Sequence, residues 1–282
     1  MKLNKVILVI VALFITQLSF SQDNSWLEAQ STKNVQLNVF YFENEPFAYT
    51  NDKNQLTGIE IEILNYFKDW VWKNKQVAIT YNYIKTSEYD NYLTMLAASN
   101  GNAIGAGTVT ITEDRKREYQ FTAPYLKNIS VLVSHGSVPT LSSINDYSSS
   151  FSGLRPVTVK GTIHEILLKQ VVKASKTDLL PEYVDSPMDV AESITSNPKY
   201  YGYIDIISYW KFVKTNKIYI KMHKKANNED ERFAFILPPN SDWLIPLNEF
   251  FESGFGFTST KDYHKILERH LGEEIINFVE LD

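Results

Sequence analysis

The sequence predicts an α/β protein of two lobes joined by two crossings. Three observations carry this. Strand-like and helix-like runs alternate along most of the 282 residues. The alternation breaks at a serine-rich loop after "ISVLVSH" (129–135) and then restarts. A polar stretch, "HKKANNEDE" (223–231), reads as a linker before a last strand and a pair of helices. The crossings are placed near Lys127–His135 and near His223–Phe235, which gives a signal peptide over 1–21, a first lobe over 22–130, a second over 131–228, and a return to the first over 229–282.

The elements follow in order. "VQLNVFYF" (35–42) alternates as a strand, and "GIEIEILNYFKDWVWKN" (58–74) as an amphipathic helix whose Ile59, Ile63, Phe67 and Trp70 or Val71 form one stripe. "VAITYNYI" (77–84) is a strand and "SEYDNYLTMLAAS" (87–99) a helix, with Ser87 and Asp90 spaced as a capping box. Beyond the break, "RPVTVKGTIHEILLKQVV" reads as strand, turn and helix. "LLPEYVDSPMDVAESI" repeats the pattern, with Ser186 as N-cap and Pro187 as first helical residue. "YYGYIDIISYW", "KIYIKM" and "RFAFILP" supply further strands, and helices over 241–254 and 259–271 close the chain.

Composition narrows the function. Lys2 and Lys5 precede an apolar run from Val6 to Ile15, followed by small residues at Ser19 and Ser21, the pattern of a secretory signal peptide cleaved near Ser21. The run is shorter than the ~20 residues of a spanning helix, so an exported, periplasmic protein is expected. Removing those two lysines leaves 26 basic against 33 acidic residues, which argues against a nucleic-acid partner. With no cysteine, the fold has neither disulfides nor a lipid-modified N-terminal cysteine, and depends on its core. No cofactor is expected: H-E-x-x-H, G-x-S-x-G, Walker and C-x-x-C motifs are absent. The histidines at 135, 164, 223, 264 and 270 lack metal-ligand spacing, and His264 and His270 read as solvated. The glycines of "GNAIGAGT" lack a following phosphate-loop lysine, so close packing explains them better.

One segment remains, "TVTITEDRKREYQFTAPY" (108–125). Thr112 is placed as N-cap of a short helix with Arg115 in its first turn. Either Glu113 and Asp114 offset that arginine against the helix dipole, or free amides, threonine hydroxyls and a forked guanidinium together receive a carboxylate.

The run T-x-T-x-T-x-x-R with "FTAPY" resembles the corresponding segment of the periplasmic solute-binding proteins that serve polar amino acid ABC transporters, relatives of the ligand-binding lobes of ionotropic glutamate receptors. "NEPFAYTNDKNQLTGIEIEIL", "VTVKGTIHEIL" and the C-terminal "WLIPLNEFFESGFGFTSTKDYHKILERHLG" extend the resemblance over nearly the whole chain, in order. It implies a type II periplasmic binding protein fold. It further implies that Arg115 clamps a ligand carboxylate with help from Thr110, that Thr108 accepts from a ligand ammonium, and that Thr162 adds amide donors when the lobes close. Phe47 would belong to the apolar wall, a core position being the alternative. In "GYIDIISYW" Asp205 matches the acid of the family's G-x-x-D-A strand, but Tyr209 or Trp210 stands where a second acid, the partner of the ligand's ammonium, should follow, so Tyr209 is placed at the ligand and a simple α-amino acid is not expected. Glu45 is a further candidate for the missing charge.

The expected function is therefore capture of a small carboxylate-bearing ligand for a membrane permease of an ABC transporter, by a monomer without enzymatic activity. Two alternatives stay open: a dehydratase-like enzyme on the same scaffold with Glu165 as general acid, and a sensory partner of a membrane protein. No fused domain is expected after the last helix.

Overall fold

A computed structural model describes residues 24–99 and 101–281. The expected signal peptide lies outside the described residues. Helix α1 (Trp26–Thr32) leads into β1 (Asn34–Phe42), the short β2 (Tyr49–Thr50) and β3 (Leu56–Thr57), α2 (Ile59–Lys75), β4 (Ala78–Thr86), α3 (Tyr89–Ala97), β5 (Ala103–Thr110), β6 (Gln120–Phe121) and the long β7 (Leu126–His135). The second run comprises α4 (Tyr147–Ser150), β8 (Arg155–Val159), α5 (Ile163–Ala174), β9 (Glu182–Val184), α6 (Pro187–Ser196), β10 (Tyr200–Asp205), α7 (Ile206–Asn216) and β11 (Ile220–Met222). The chain returns along β12 (Asn228–Leu237) to α8 (Leu244–Glu252), α9 (Lys261–Leu271) and α10 (Glu273–Val279).

Strand order is β4-β1-β5-β12-β7-β10-β8-β9, with β11 on β7 and β6 on β12. Parallel trios lie at either end, β4-β1-β5 and β10-β8-β9. Between them, β7 and β12 pair antiparallel, with Leu126 opposite Phe233 and Asn128 opposite Glu231. The two expected crossings are thus one two-stranded ribbon, and a two-lobed α/β fold hangs from it.

The core follows the apolar stripes. Ile59, Ile63, Phe67 and Val71 of α2 are all completely buried against the first-lobe sheet and α8, each contributing about 1.5–3 kcal/mol relative to exposure. Gly105 and Gly107 lie where β5 passes under Tyr92: a Cβ at Gly105 would come within 2.3 Å of the Tyr92 hydroxyl, so close packing explains them.

Several expectations need correction. Helix α3 starts at Tyr89 with Glu88 as N-cap and no side-chain cap, so Ser87 and Asp90 form no capping box; Asp90 instead reaches Lys160 at 2.9 Å. The polar stretch 223–231 is no linker. His223 is fully buried, bridging Ser134 Oγ (2.7 Å) and the Leu141 amide (3.2 Å), residues 224–226 form a 3₁₀ turn, and Asn228 already begins β12. Within the ribbon Glu231 is met by the Asn128 and Asn228 amides, while Lys224, Lys225, Glu229 and Asp230 face solvent. Arg115 sits in a 3₁₀ turn (Arg115–Arg117), not an α-helix, although Thr112 Oγ does accept from the Arg115 amide at 3.2 Å. His270 is buried on Glu62 at 2.7 Å and is not solvated. Ser186 and Pro187 start α6 as expected.

Candidate functional site

The cleft between the lobes opens where strands end. At the first lobe, β5 ends in Thr108, Val109 and Thr110. Thr108 takes a left-handed backbone, φ 50°, which is rare for a β-branched residue and is held by its surroundings. Its amide donates to Glu60 Oε1 at 3.0 Å, its hydroxyl donates to the Gly107 carbonyl at 2.7 Å, and Asn44 Nδ2 donates to that hydroxyl at 3.2 Å. Glu60 is completely buried; its Oε1 also accepts from the Tyr125 hydroxyl at 2.7 Å. Burial pushes its carboxyl up to about 7, against the lowering pull of Tyr125, Thr108 and Gly107.

Arg115 reaches both lobes. One guanidinium nitrogen donates to the Thr110 carbonyl at 3.0 Å, the other to the Gly161 carbonyl at 3.1 Å, and the plane lies over the Tyr89 ring at 5.8 Å. Gly161 forms the turn between β8 and α5 with φ 79°, a conformation that suits glycine, and its amide donates to Glu165 Oε2 at 2.7 Å. Thr162 caps α5: its hydroxyl accepts from the Glu165 amide at 3.4 Å and donates to the Val159 carbonyl at 2.8 Å. The first-turn amides of Ile163 and His164 have no intrahelical acceptor, as at any helix start.

A narrow cavity of about 40 Å³ lies between these parts. The first lobe lines it with Phe42, Asn44, Tyr89, Thr108, Thr110 and Arg115, the second with Val159, Thr162, Ile163, His164, Pro187 and Asp205, and the ribbon with Phe233. An adjoining space of about 180 Å³ shares Tyr89 and Val159 and is lined by Lys160, Asp90 and Tyr183.

The structure brings Arg115, Thr108, Thr110 and Thr162 together on this cavity and leaves two expected residues off it. Phe47 is completely buried, edge-on to Phe233 with ring centroids 5.6 Å apart, so it backs the wall without forming it. Tyr209 packs in the second-lobe core, its hydroxyl donating to the Ile220 carbonyl at 3.3 Å. Trp210 and Glu45 border a separate space, where Glu45 pairs with Lys211. The acid that faces the cavity is Asp205 itself. It ends β10 and caps α7, accepting from the Ser208 amide (2.8 Å) and hydroxyl (2.6 Å). The placement of Tyr209 at the ligand is therefore corrected: the helix turns Tyr209 and Trp210 away, and the strand-end acid Asp205 is the second-lobe carboxylate on the cavity.

Glu165, the candidate general acid, is a tied carboxylate. Burial raises it, but Lys169 (2.6 Å), the Gly161 amide and the Tyr183 hydroxyl (2.7 Å) hold it below its ordinary value. Such a group keeps the Gly161 turn in shape and has no proton to give near neutrality.

Residues 38–273 match the profile of the bacterial extracellular solute-binding proteins, family 3. The chain belongs to that family. Its members are binding proteins, and among the described residues of this one no helix is long and apolar enough to cross a membrane. The L-cystine-binding protein TcyJ of Escherichia coli (strain K12) is 29% identical over 129 residues, 45% of this chain and 44% of that protein, so the match spans less than half the relative's length. A putative L-cystine ABC transporter protein from Listeria monocytogenes shares the fold with a TM-score of 0.67 at 15% identity, over 85% of this chain and 97% of that one. An ancestral arginine-binding protein bound to arginine does so with a TM-score of 0.65 at 20% identity, over 84% and 98%.

Phe42, Asn44, Tyr89, His164 and Phe233 were missed by sequence reasoning. Tyr89 and Phe233 look like ordinary apolar positions of α3 and β12. His164 had a usable signal, since it stands in the same first turn as the Thr162 cap.

Proposed function

We propose that this family 3 protein captures a small amino acid in the cleft and hands it to the permease of an ABC transporter in an extracytoplasmic compartment. One observation carries the reading: a guanidinium, Arg115, and a carboxylate, Asp205, line one cavity from opposite lobes. A zwitterion offers each of them its opposite charge. Its carboxylate would take the remaining Arg115 donors and the free amides at the start of α5, with the Thr110 hydroxyl beside them. Its ammonium would lie toward Asp205 and the Thr108 hydroxyl. Contacts of this kind form with both lobes only when the cleft is closed, so the ligand would shift the protein toward the closed state. The cystine- and arginine-binding relatives support the ligand class. The enzymatic alternative loses its candidate acid in the tied Glu165.

The test is native mass spectrometry of freshly purified protein, followed by calorimetric titration with the standard amino acids and cystine. Stoichiometric binding of one of them, absent in the Arg115→Ala variant, is expected. Binding only of acids that lack an α-amino group would overturn the ammonium assignment.

A further inference from the structure

Arg115 and Asp205 answer a carboxylate and an ammonium; selection of the ligand's side chain rests on that proposed function and on a third residue. His164, in the first turn of α5, lines the cavity and is 8% exposed, and its Nε2 has no hydrogen-bond partner among the described residues. A buried nitrogen left so is unfavourable unless something meets it.

The charges around that ring are unbalanced. Behind it on the ribbon, the buried Glu231 carboxylate is held by the Asn128 (2.7 Å) and Asn228 (2.8 Å) amides, with no cationic side chain among the described residues bonded to it. Asp205 is held by the amide and hydroxyl of Ser208. Against these two carboxylates, Glu231 and Asp205, the cation lining the cavity is Arg115. His164 adds no second one: burial pushes its imidazole down, reinforced by Arg115, and this outweighs the opposite pull of Glu231 and Asp205. A net-neutral zwitterion leaves the imbalance as it stands. A ligand with one more positive charge reduces it, in a dry site where uncompensated carboxylates are costly.

We propose that the ligand is a cationic amino acid whose side-chain nitrogen donates a hydrogen bond to His164 Nε2, with Glu231 and Asp205 supplying the negative field behind the ring. His164 is then a specificity-determining residue in the tautomer protonated at Nδ1, its Nε2 lone pair turned to the ligand.

Shape-matched pairs test this by titration calorimetry: L-arginine against L-citrulline and L-lysine against L-norleucine, on the parent, His164→Leu, His164→Gln and Arg115→Ala. In at least one pair the cationic member should bind the parent about tenfold or more tightly than its neutral partner. That ratio should fall below about threefold in His164→Leu, and His164→Gln, which keeps an acceptor, should retain more of it. If His164→Leu does not fold, Glu231→Gln takes its place and should also lower the ratio. A neutral member binding as well as its cationic partner, with affinity still lost in Arg115→Ala, overturns the cationic class and leaves the amino acid reading standing. A charge preference that His164→Leu and Glu231→Gln both leave intact removes the role of His164. Binding of no α-amino acid at all overturns both readings.

Discussion

Arg115 donates to the carbonyl of Gly161 across the cleft at 3.1 Å while holding its own lobe through the Thr110 carbonyl at 3.0 Å. The same guanidinium is thus a lobe-to-lobe tie and, in the proposed function, the carboxylate receptor. A guanidinium has five N–H donors in a fixed fork, so two carbonyl bonds leave donors for a ligand. Gly161 suits its part because its left-handed turn aims the carbonyl at Arg115 while its amide is fixed by Glu165.

Arg115→Ala should weaken ligand binding by roughly thirtyfold or more, and by more than about a hundredfold at the middle of the range, since truncating one partner of a buried charge pair typically costs ~2–5 kcal/mol. Arg115→Lys keeps the charge but cannot span Thr110 and Gly161 with a planar fork, so its affinity should fall between those of the parent and the alanine variant. Both should melt within a few degrees of the parent, because the arginine is only half-buried. Calorimetric titration and thermal melts decide, and parent-like affinity in Arg115→Ala would end the clamp reading.

Asp205 does two things that substitution can separate. Asp205→Asn keeps a side-chain oxygen for the Ser208 amide but loses the charge, so it should bind the ligand at least about tenfold more weakly at nearly unchanged stability. Asp205→Ala should lose affinity and also about 0.5–2 kcal/mol from the cap of α7. Equal affinity of the asparagine variant and the parent would show that no ligand cation meets this carboxylate.

Glu60 should leave a pH signature in stability. Its ordinary value is 4.5 and burial raises it to about 7. Between those pH values the unfolded chain has released this proton while the folded chain still holds it. Stability should therefore fall as pH rises through the window, by an amount on the order of 3 kcal/mol at about 1.4 kcal/mol per unit, and level off beyond it. Glu60→Gln keeps an oxygen for the Thr108 amide and the Tyr125 hydroxyl and carries no titration. Urea unfolding of both proteins from about pH 4 to about pH 8 should show the variant gaining on the parent as pH rises; a stability difference that does not change with pH would refute the shifted carboxyl.

Where periodicity governs, the fold was legible. The stripe of Ile59, Ile63, Phe67 and Val71 needed only helical spacing, and the two crossings were found because strand patterns stop and restart around them. The site was half legible. Local chemistry marked the threonine-rich turn around Arg115, and the family resemblance named Thr108, Thr110 and Thr162, whereas Asp205 at the cavity and Tyr209 off it depend on how β10 passes into α7. Phe47 and Phe233 are both aromatic, and which one forms the wall depends on their edge-on contact, a tertiary fact. The stretch 223–231 misled most, since His223 and Glu231 are buried on partners far apart in sequence while Lys224, Lys225, Glu229 and Asp230 stay exposed, and only the pairing partners reveal the difference.

Closure should depend on salt through a set of ion pairs with one polarity. Lysines of the second lobe meet acids of the first three times: Lys160 with Asp90 at 2.9 Å, Lys214 with Glu274 at 2.9 Å, and Lys211 with Glu45. Exposed pairs each contribute little and are screened as ionic strength rises. All three pairs join the lobes, and Lys160 with Asp90 borders the space beside the cavity, so that pair's contribution should appear as ligand affinity as well as stability. Asp90→Asn, away from any proposed contact with the ligand, should therefore weaken binding about two- to fivefold in low salt. In about 0.5 M sodium chloride, where the Debye length is only a few ångströms, that difference should nearly vanish. Titrations of parent and variant at both salt concentrations provide the measurement. A deficit that persists undiminished in high salt would mean that Asp90 acts through the shape of the Gly161 turn, beside which its carboxylate lies, and that the lysines do not draw the lobes together.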